Sequence, residues 1–218
     1  MNAQGEKAET SDGPDVANLR SYDAIADEWD GVRIRLSPRE AVLLGIFLED
    51  MPAGSRILDL GCGSGRPIAE ELLRRGFAVS GLDQSPRMLE IARRRFPGAE
   101  WTRSRIEDWP ACRRYPGVVA WDSLFHIPRE RHASIFEKVH RSLLPRGRFA
   151  LTVGGSEHPA FVDTMFGRRF FYDSHPPEAA SQLLRDCGFD LVHGEFLNLP
   201  DGAGDKGRFA IVAAVAGA

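Results

Sequence analysis

The stretch that decides the fold is Arg56–Ser85, RILDLGCGSGRPIAEELLRRGFAVSGLDQS. A short apolar strand over Arg56–Leu60 runs into glycines at Gly61, Gly63 and Gly65. A helix over Ser64–Arg75 follows, closed by Gly76, and then a second strand over Phe77–Leu82 that ends on Asp83. Strands that are apolar throughout, not alternating, belong to a parallel sheet covered on both faces. In such a sheet a ligand sits beyond the carboxyl ends of the strands, where strand order reverses. Glycines at that place let a ligand lie against bare backbone. A carboxylate at the end of the next strand can accept from two vicinal ribose hydroxyls.

The same alternation extends outward. Before it, Leu19, Tyr22, Ile25, Ala26 and Trp29 fall on one helical face from Val16 onward. A second helix opens at Ser37-Pro38, serine as N-cap and proline at the first position, and stops before Pro52. After it come a helix over Ser85–Arg95, strands over Glu100–Arg103 and Gly117–Trp121, a helix over Arg129–Leu144 and a strand over Arg148–Val153. A helix over Pro177–Cys187 precedes two strands, Phe189–Phe196 and Arg208–Val215. The turn-rich NLPDGAGDKG joins these two, which makes them antiparallel neighbours. Gly154–Pro177 breaks the pattern with an aromatic-rich stretch carrying His158, Tyr172 and His175. It reads equally as a substrate cover or as a packed surface hairpin.

Composition excludes several classes. With 218 residues, 43% of them apolar and 27% charged, the chain is one soluble domain of ordinary size. Residues 1–15 read as a disordered tail, 16–218 as the domain, and 16–52 as a helical lid. The net charge of -3 gives no electrostatic case for nucleic acid or an anionic membrane. The basic run Arg93–Arg95 and the pair Arg103 and Arg105 read as solvated surface. Cys62, Cys112 and Cys187 lie too far apart for metal spacing or a disulfide framework, which fits a reducing cytoplasm. The apolar runs fall short of a membrane span. No metal site is expected, since His158 and His175 have no nearby acids or cysteines.

Two details refine the ligand. A dinucleotide fingerprint has a third glycine three positions after the second, and Arg66 stands there instead. Asp59 precedes the glycines, where an acid can orient an ammonium group. With these residues in hand, the chain resembles a class I S-adenosylmethionine-dependent methyltransferase of small bacterial type over about Tyr22–Val215. LDLGCGSG resembles that family's first motif, VSGLDQSPRMLEIAR its second, YPGVVAWDSLFHIP its fourth-strand segment, and LLPRGRFAL the turn into its fifth strand. YDAIADEWD resembles the helical lead-in that folds over the cofactor.

The resemblance implies a Rossmann-like, doubly wound α/β domain. Its sheet has seven strands, mostly parallel, with an antiparallel C-terminal hairpin and an N-terminal helical lid. It implies S-adenosylmethionine as cofactor and a small-molecule methyl acceptor. Asp59, Gly61, Cys62, Gly63 and Gly65 would hold the methionine part, and Asp83 with Gln84 the ribose. Met88, Ile106 and Glu107 would lie near the adenine, and Trp29, Arg33 and Trp121 around the methionine end. Arg33 could pair with the cofactor carboxylate. Arg105 departs from the family, which often has an acid there; Glu107 or Asp108 could substitute. Asp122 and His126, at the end of the fourth strand, are the candidate polar groups beside the acceptor. Cys62 reads as a small loop residue, not a nucleophile. Asp205 and Lys206 read as solvated. Competing readings are a methyltransferase acting on protein or RNA, a nicotinamide oxidoreductase, and a cofactor-binding module without catalysis.

Overall fold

The computed structural model describes residues 14–201 and 204–216. Most of the expected disordered tail lies outside the described residues; Pro14 and Asp15 open the first helix. The lead-in is two helices, α1 (Pro14–Ala24) and α2 (Ala26–Val32), broken at Ile25, whose φ of -110° leaves the helical range. α3 (Pro38–Leu48) starts as its sequence dictates. Ser37 accepts from the Glu40 N–H, and Glu40 accepts in return from the Ser37 N–H at 2.8 Å.

β1 (Arg56–Leu60) enters the glycine loop, and α4 (Ile68–Arg74) begins four residues later than the pattern implies. Gly61, Gly63 and Gly65 all have positive φ, which no helical turn can contain. β2 (Ala78–Asp83), α5 (Pro86–Arg95), β3 (Glu100–Arg103) and β4 (Tyr115–Ala120) follow as expected. The next helix starts with a 3-10 turn at Arg129–Arg131, continues as α6 (His132–Ser142) and ends before Leu144. Pro145 keeps its predecessor out of the helical region. β5 (Leu143–Gly154) leads into a separate hairpin, β6 (Phe161–Met165) and β7 (Arg168–Tyr172). α7 (Pro177–Asp186), β8 (Phe189–Asn198) and β9 (Arg208–Val215) complete the chain.

The main sheet has seven strands in the order β3-β2-β1-β4-β5-β9-β8. Only β9 runs against the rest, paired antiparallel to both β5 and β8. Strand order reverses between β1 and β4, which puts the ligand end of the sheet there. Alternate residues of each strand feed two cores. Leu58, Val118 and Phe149 pack against Phe136 and Val139 of α6 and Leu184 of α7. Ile57, Val79 and Val119 pack against Leu43, Leu44 and Phe47 of α3 and Leu72 of α4. The expected lid over 16–52 is narrower: α3 belongs to the second core, and only α1 and α2 lie over the cleft, where Ala26, Tyr22 and Trp29 rest on Met88 and Ile91 of α5.

Polar contacts add to that seam. Asp23 accepts from the Ser85 hydroxyl at 2.6 Å and from the Arg87 N–H at 3.0 Å. Asp30 takes both arms of Arg95 at 2.6 Å, so the basic run of α5 is not wholly solvated.

Gly81 marks how tightly β2 is packed. A Cβ there would lie 2.3 Å from the Trp101 ring and 2.8 Å from the Cys62 sulfur. Gly81→Ala is expected to destabilise the fold by about 1–3 kcal/mol, read from the denaturant midpoint.

Candidate active site

The glycine loop and Asp83 form one hydrogen-bonded unit. The N–H groups of Gly61 and Cys62 donate to the Leu82 carbonyl at 2.7 and 3.0 Å. One Asp83 oxygen accepts from the Gly63 N–H at 2.9 Å, the other from the Ser85 N–H at 2.8 Å. Burial pushes the Asp83 carboxyl up, against these N–H groups. Each oxygen keeps a lone pair for a further donor. The glycines divide their roles. Nothing lies near the absent side chain of Gly63, whereas a Cβ on Gly61 would meet Ser123 Cβ at 2.4 Å.

A cleft of about 960 Å³, its open mouth included, lies at the carboxyl ends of β1, β2 and β4 under the lid. Of the candidates read from the sequence, every one lines it except Gly65. Gly65 is the correction: the rings of Phe96 and Trp101 lie 3.0 and 3.2 Å from where its Cβ would be. It serves packing behind the loop, not the ligand face. Cys62 lines the cleft as a protonated thiol, since burial pushes its pKa well up.

Asp59 is 2% exposed, and no hydrogen bond reaches its carboxyl among the described residues. Burial, and then the nearby Asp83, push its pKa up to about 8. A buried acid without a partner is costly, and a cationic ligand group would relieve it.

Around Trp121 four charges alternate in a closed ring. Arg33 Nη2 lies 2.6 Å from Glu40 Oε1 and 3.1 Å from Asp122 Oδ2. Arg208 Nη1 lies 2.7 Å from that same Asp122 oxygen and 3.9 Å from Glu40 Oε1. Trp121 donates its indole N–H to Glu40 at 3.2 Å. Burial raises the Glu40 carboxyl, but the hydrogen bonds from Arg33 and the Ser37 N–H outweigh it and bring it down to about 2. Asp122 sits at φ +51°, its N–H given to the Thr152 hydroxyl at 2.7 Å and its Oδ1 receiving that hydroxyl at 3.2 Å. Both its oxygens are therefore engaged.

His126 lies 8% exposed in the 3-10 turn Leu124–His126. Its Nδ1–H donates to the Phe171 carbonyl at 3.0 Å, which leaves Nε2 as acceptor for the Tyr22 hydroxyl at 2.7 Å. Burial outweighs that hydrogen bond and pushes the imidazole down to about 4, so it is neutral at pH 7. Asn18 of α1 supports the arrangement: its amide donates to the carbonyls of His126 and Phe171 and its oxygen accepts from the Phe171 N–H. The Gly154–Pro177 segment is thus a hairpin whose strand β7 holds the lid.

Elsewhere, Glu107 pairs with Arg105 at 2.8 Å and with Arg131 at 3.1 Å. Ser104 and Arg105 join Ile106 in the wall beyond β3. Asp205 caps its own turn, and Lys206 lies over Phe161; neither lines the cleft. Among the described residues no group of three or more His, Cys, Asp or Glu is placed to hold a metal. Tyr22, Glu40, Thr152 and Arg208 are the residues that sequence reading missed. Only Glu40 had a local signal, the capping box, and that signal concerns helix starts.

Comparison with known proteins adds the following likenesses. The family described as "methyltransferase domain" matches residues 57–147. The ubiquinone biosynthesis O-methyltransferase of Xanthomonas axonopodis is 26% identical over 197 residues, 80% of this chain and 81% of that protein. The chain is thus similar to S-adenosylmethionine-dependent methyltransferases over its central part. A trans-aconitate 2-methyltransferase of Acidovorax is 37% identical over 103 residues, a match spanning 46% of this chain and only 38% of that enzyme. A S-adenosylmethionine-dependent methyltransferase of Methanosarcina mazei has the same fold, with a TM-score of 0.68 at 21% identity, covering 85% of this chain and 100% of that one. The 1,6-didemethyltoxoflavin N1-methyltransferase of Burkholderia thailandensis shares it too, with a TM-score of 0.63 at 20% identity over 94% and 92%. No described helix is long and apolar enough to cross a membrane.

Asp59 makes stability depend on pH. Its pKa rises on folding from 3.8 to about 8, so between those values the native state holds a proton that the unfolded chain has released. Stability therefore falls as pH climbs through that window. Asp59→Asn is expected to be the more stable chain, by an increment growing at up to about 1.4 kcal/mol per pH unit. Denaturant midpoints of both chains from about pH 5 to 8 read it.

Proposed function

We propose that this protein transfers the methyl group of S-adenosylmethionine to an oxygen or nitrogen of a small molecule. The observation that carries the reading is the unpartnered, buried carboxyl of Asp59 beside the Asp83–glycine-loop unit. That pair suits a ligand with a cationic end and a ribose. When bound, S-adenosylmethionine supplies an electrophilic methyl group on sulfur. Asp83 would accept from the ribose, Asp59 would face the ammonium, and Arg33 would meet the carboxylate end. The backbone at Ile106, with Met88, Gln84 and Glu107, would wall the adenine. A nicotinamide dinucleotide fits less well, because Arg66 holds the place of the third glycine and is tied to Glu70 at 3.0 Å.

On the acceptor side, His126 and Tyr22 are the groups with chemistry to offer. A donor on the acceptor can replace the Tyr22 hydroxyl at Nε2. An imidazole of lowered basicity suits orienting that donor, or taking a proton released as the new bond forms. It is too weak to ionise an alcohol beforehand. Asp122, read from the sequence as a catalytic candidate, would act by holding Arg33. Rate enhancement would come mainly from positioning. Relatives named for ubiquinone biosynthesis, trans-aconitate and didemethyltoxoflavin support a small acceptor taking the methyl on oxygen or nitrogen. The three separated cysteines fit a cytoplasmic setting.

Calorimetric titration of S-adenosylhomocysteine tests the reading. Asp83→Ala should weaken binding at least about tenfold, the weight of one charge-assisted hydrogen bond or more. Near pH 7 the wild type should release up to one proton as Asp59 ionises against the ammonium, so its binding heat should change with buffer. The heat of Asp59→Asn should not. A wild type that ignores S-adenosylhomocysteine and binds a nicotinamide dinucleotide would sink the proposal.

A further inference from the structure

We propose that Arg208 is a positioning residue of this site, acting through Asp122 on Arg33. The inference rests on the reading that the cleft takes S-adenosylmethionine. Arg33 and Asp122 line the cleft, whereas Arg208 stands behind them on β9. Its guanidinium closes the four-charge ring, 2.7 Å from Asp122 Oδ2 and 3.9 Å from Glu40 Oε1. It is itself held, since its Nε–H donates to Asn198 Oδ1 at 3.1 Å and Asn198 donates to Asp205 at 3.0 Å.

Charge balance gives the ring its effect. With Arg208 present, two cations face two carboxylates and the ring is neutral. Without it, Arg33 stands alone between Glu40 and Asp122, and the wall beside the methionine end carries a net negative charge. Arg33 is then spent on two acids, and an incoming carboxylate meets repulsion where it had met a neutral, donor-bearing surface. The side chains of Arg33, Asp122 and Glu40 are 18%, 14% and 3% exposed and that of Arg208 35%, so water screens this change only in part. The nucleoside end, held by Asp83 and the glycine loop, is not part of the ring. Arg208 should therefore matter for ligands that carry the amino-acid group and not for those that lack it.

The experiment titrates two ligands, S-adenosylhomocysteine and 5′-methylthioadenosine, which lacks the amino-acid end. Wild type, Arg208→Met, Arg208→Lys, Arg33→Met and the Arg33→Met/Arg208→Met double variant are compared, with the weaker ligand read by displacement. Arg208→Met should lose about tenfold in affinity for S-adenosylhomocysteine and stay within about twofold for methylthioadenosine. Arg208→Lys keeps the charge and should recover most of the loss; Arg208→Gln, which also removes the charge, replaces Arg208→Met if that chain does not fold. In the Arg33→Met background the second substitution should cost clearly less than it does alone, since only the added negative charge remains to act. Equal weakening of both ligands, unchanged S-adenosylhomocysteine affinity, or additive effects of the two substitutions each overturn the role of Arg208. A wild type that binds neither ligand overturns the cofactor reading itself.

Discussion

The register between β1 and β2 is the constraint on which the site depends. Leu60 pairs with Leu82, so both strands end at one level. The Leu82 carbonyl is then free to receive Gly61 and Cys62, and the Asp83 carboxylate to receive Gly63 and Ser85. A slip of one residue would turn Asp83 to the other face and leave the loop without its anchor. The apolar packing of Ile57 and Val79 on one face and Leu58 and Leu82 on the other forbids that slip.

The lid is fastened on three sides by different means. Toward α5 the fastening is apolar contact reinforced by Asp23 and Asp30. Toward β7 it is Asn18 and the Tyr22–His126 hydrogen bond. Toward the end of β4 it is the charge ring. Buried ion pairs stabilise little in net terms, but removing one member leaves a buried charge uncompensated. The ring therefore specifies a position more than it adds stability. Asp122 holds a backbone conformation rare outside glycine, with both oxygens engaged by Thr152 and the arginines, as a residue fixed by its surroundings would.

Much of this was legible in the sequence because it is local. Apolar runs marked most of the seven strands of the main sheet, Ser37 and Pro38 marked the start of α3, and the glycines with Asp59 and Asp83 marked the cleft. Boundaries failed where backbone geometry overrode pattern. Positive φ at Gly65 delayed α4, Pro145 shortened α6, and Ile25 split the lead-in. The pair of strands within Gly154–Pro177 was open between two readings, since aromatic content does not reveal what a hairpin packs on. The partners that give the site its character were not legible. His126 and Tyr22 lie 104 residues apart, and Asp122 and Arg208 lie 86 apart. No local pattern links such positions; only strand order does.

Strand order has a further consequence, for the sequence of assembly. β8 precedes β9 along the chain yet stands outside it, at the sheet edge. It pairs only with β9, as a local hairpin, and reaches the rest of the sheet only through the pairing of β9 with β5. The loop-and-acid half of the cleft arises from β1 and β2, which are neighbours in both chain and sheet. The ring closes only when β9 docks on β5 and delivers Arg208, a contact far longer in sequence than the one between β1 and β2. A chain in which β9 is not docked has the loop-and-acid half of the cleft with an unfinished rim, so the charge ring reports on the far edge of the sheet as well as on the cleft.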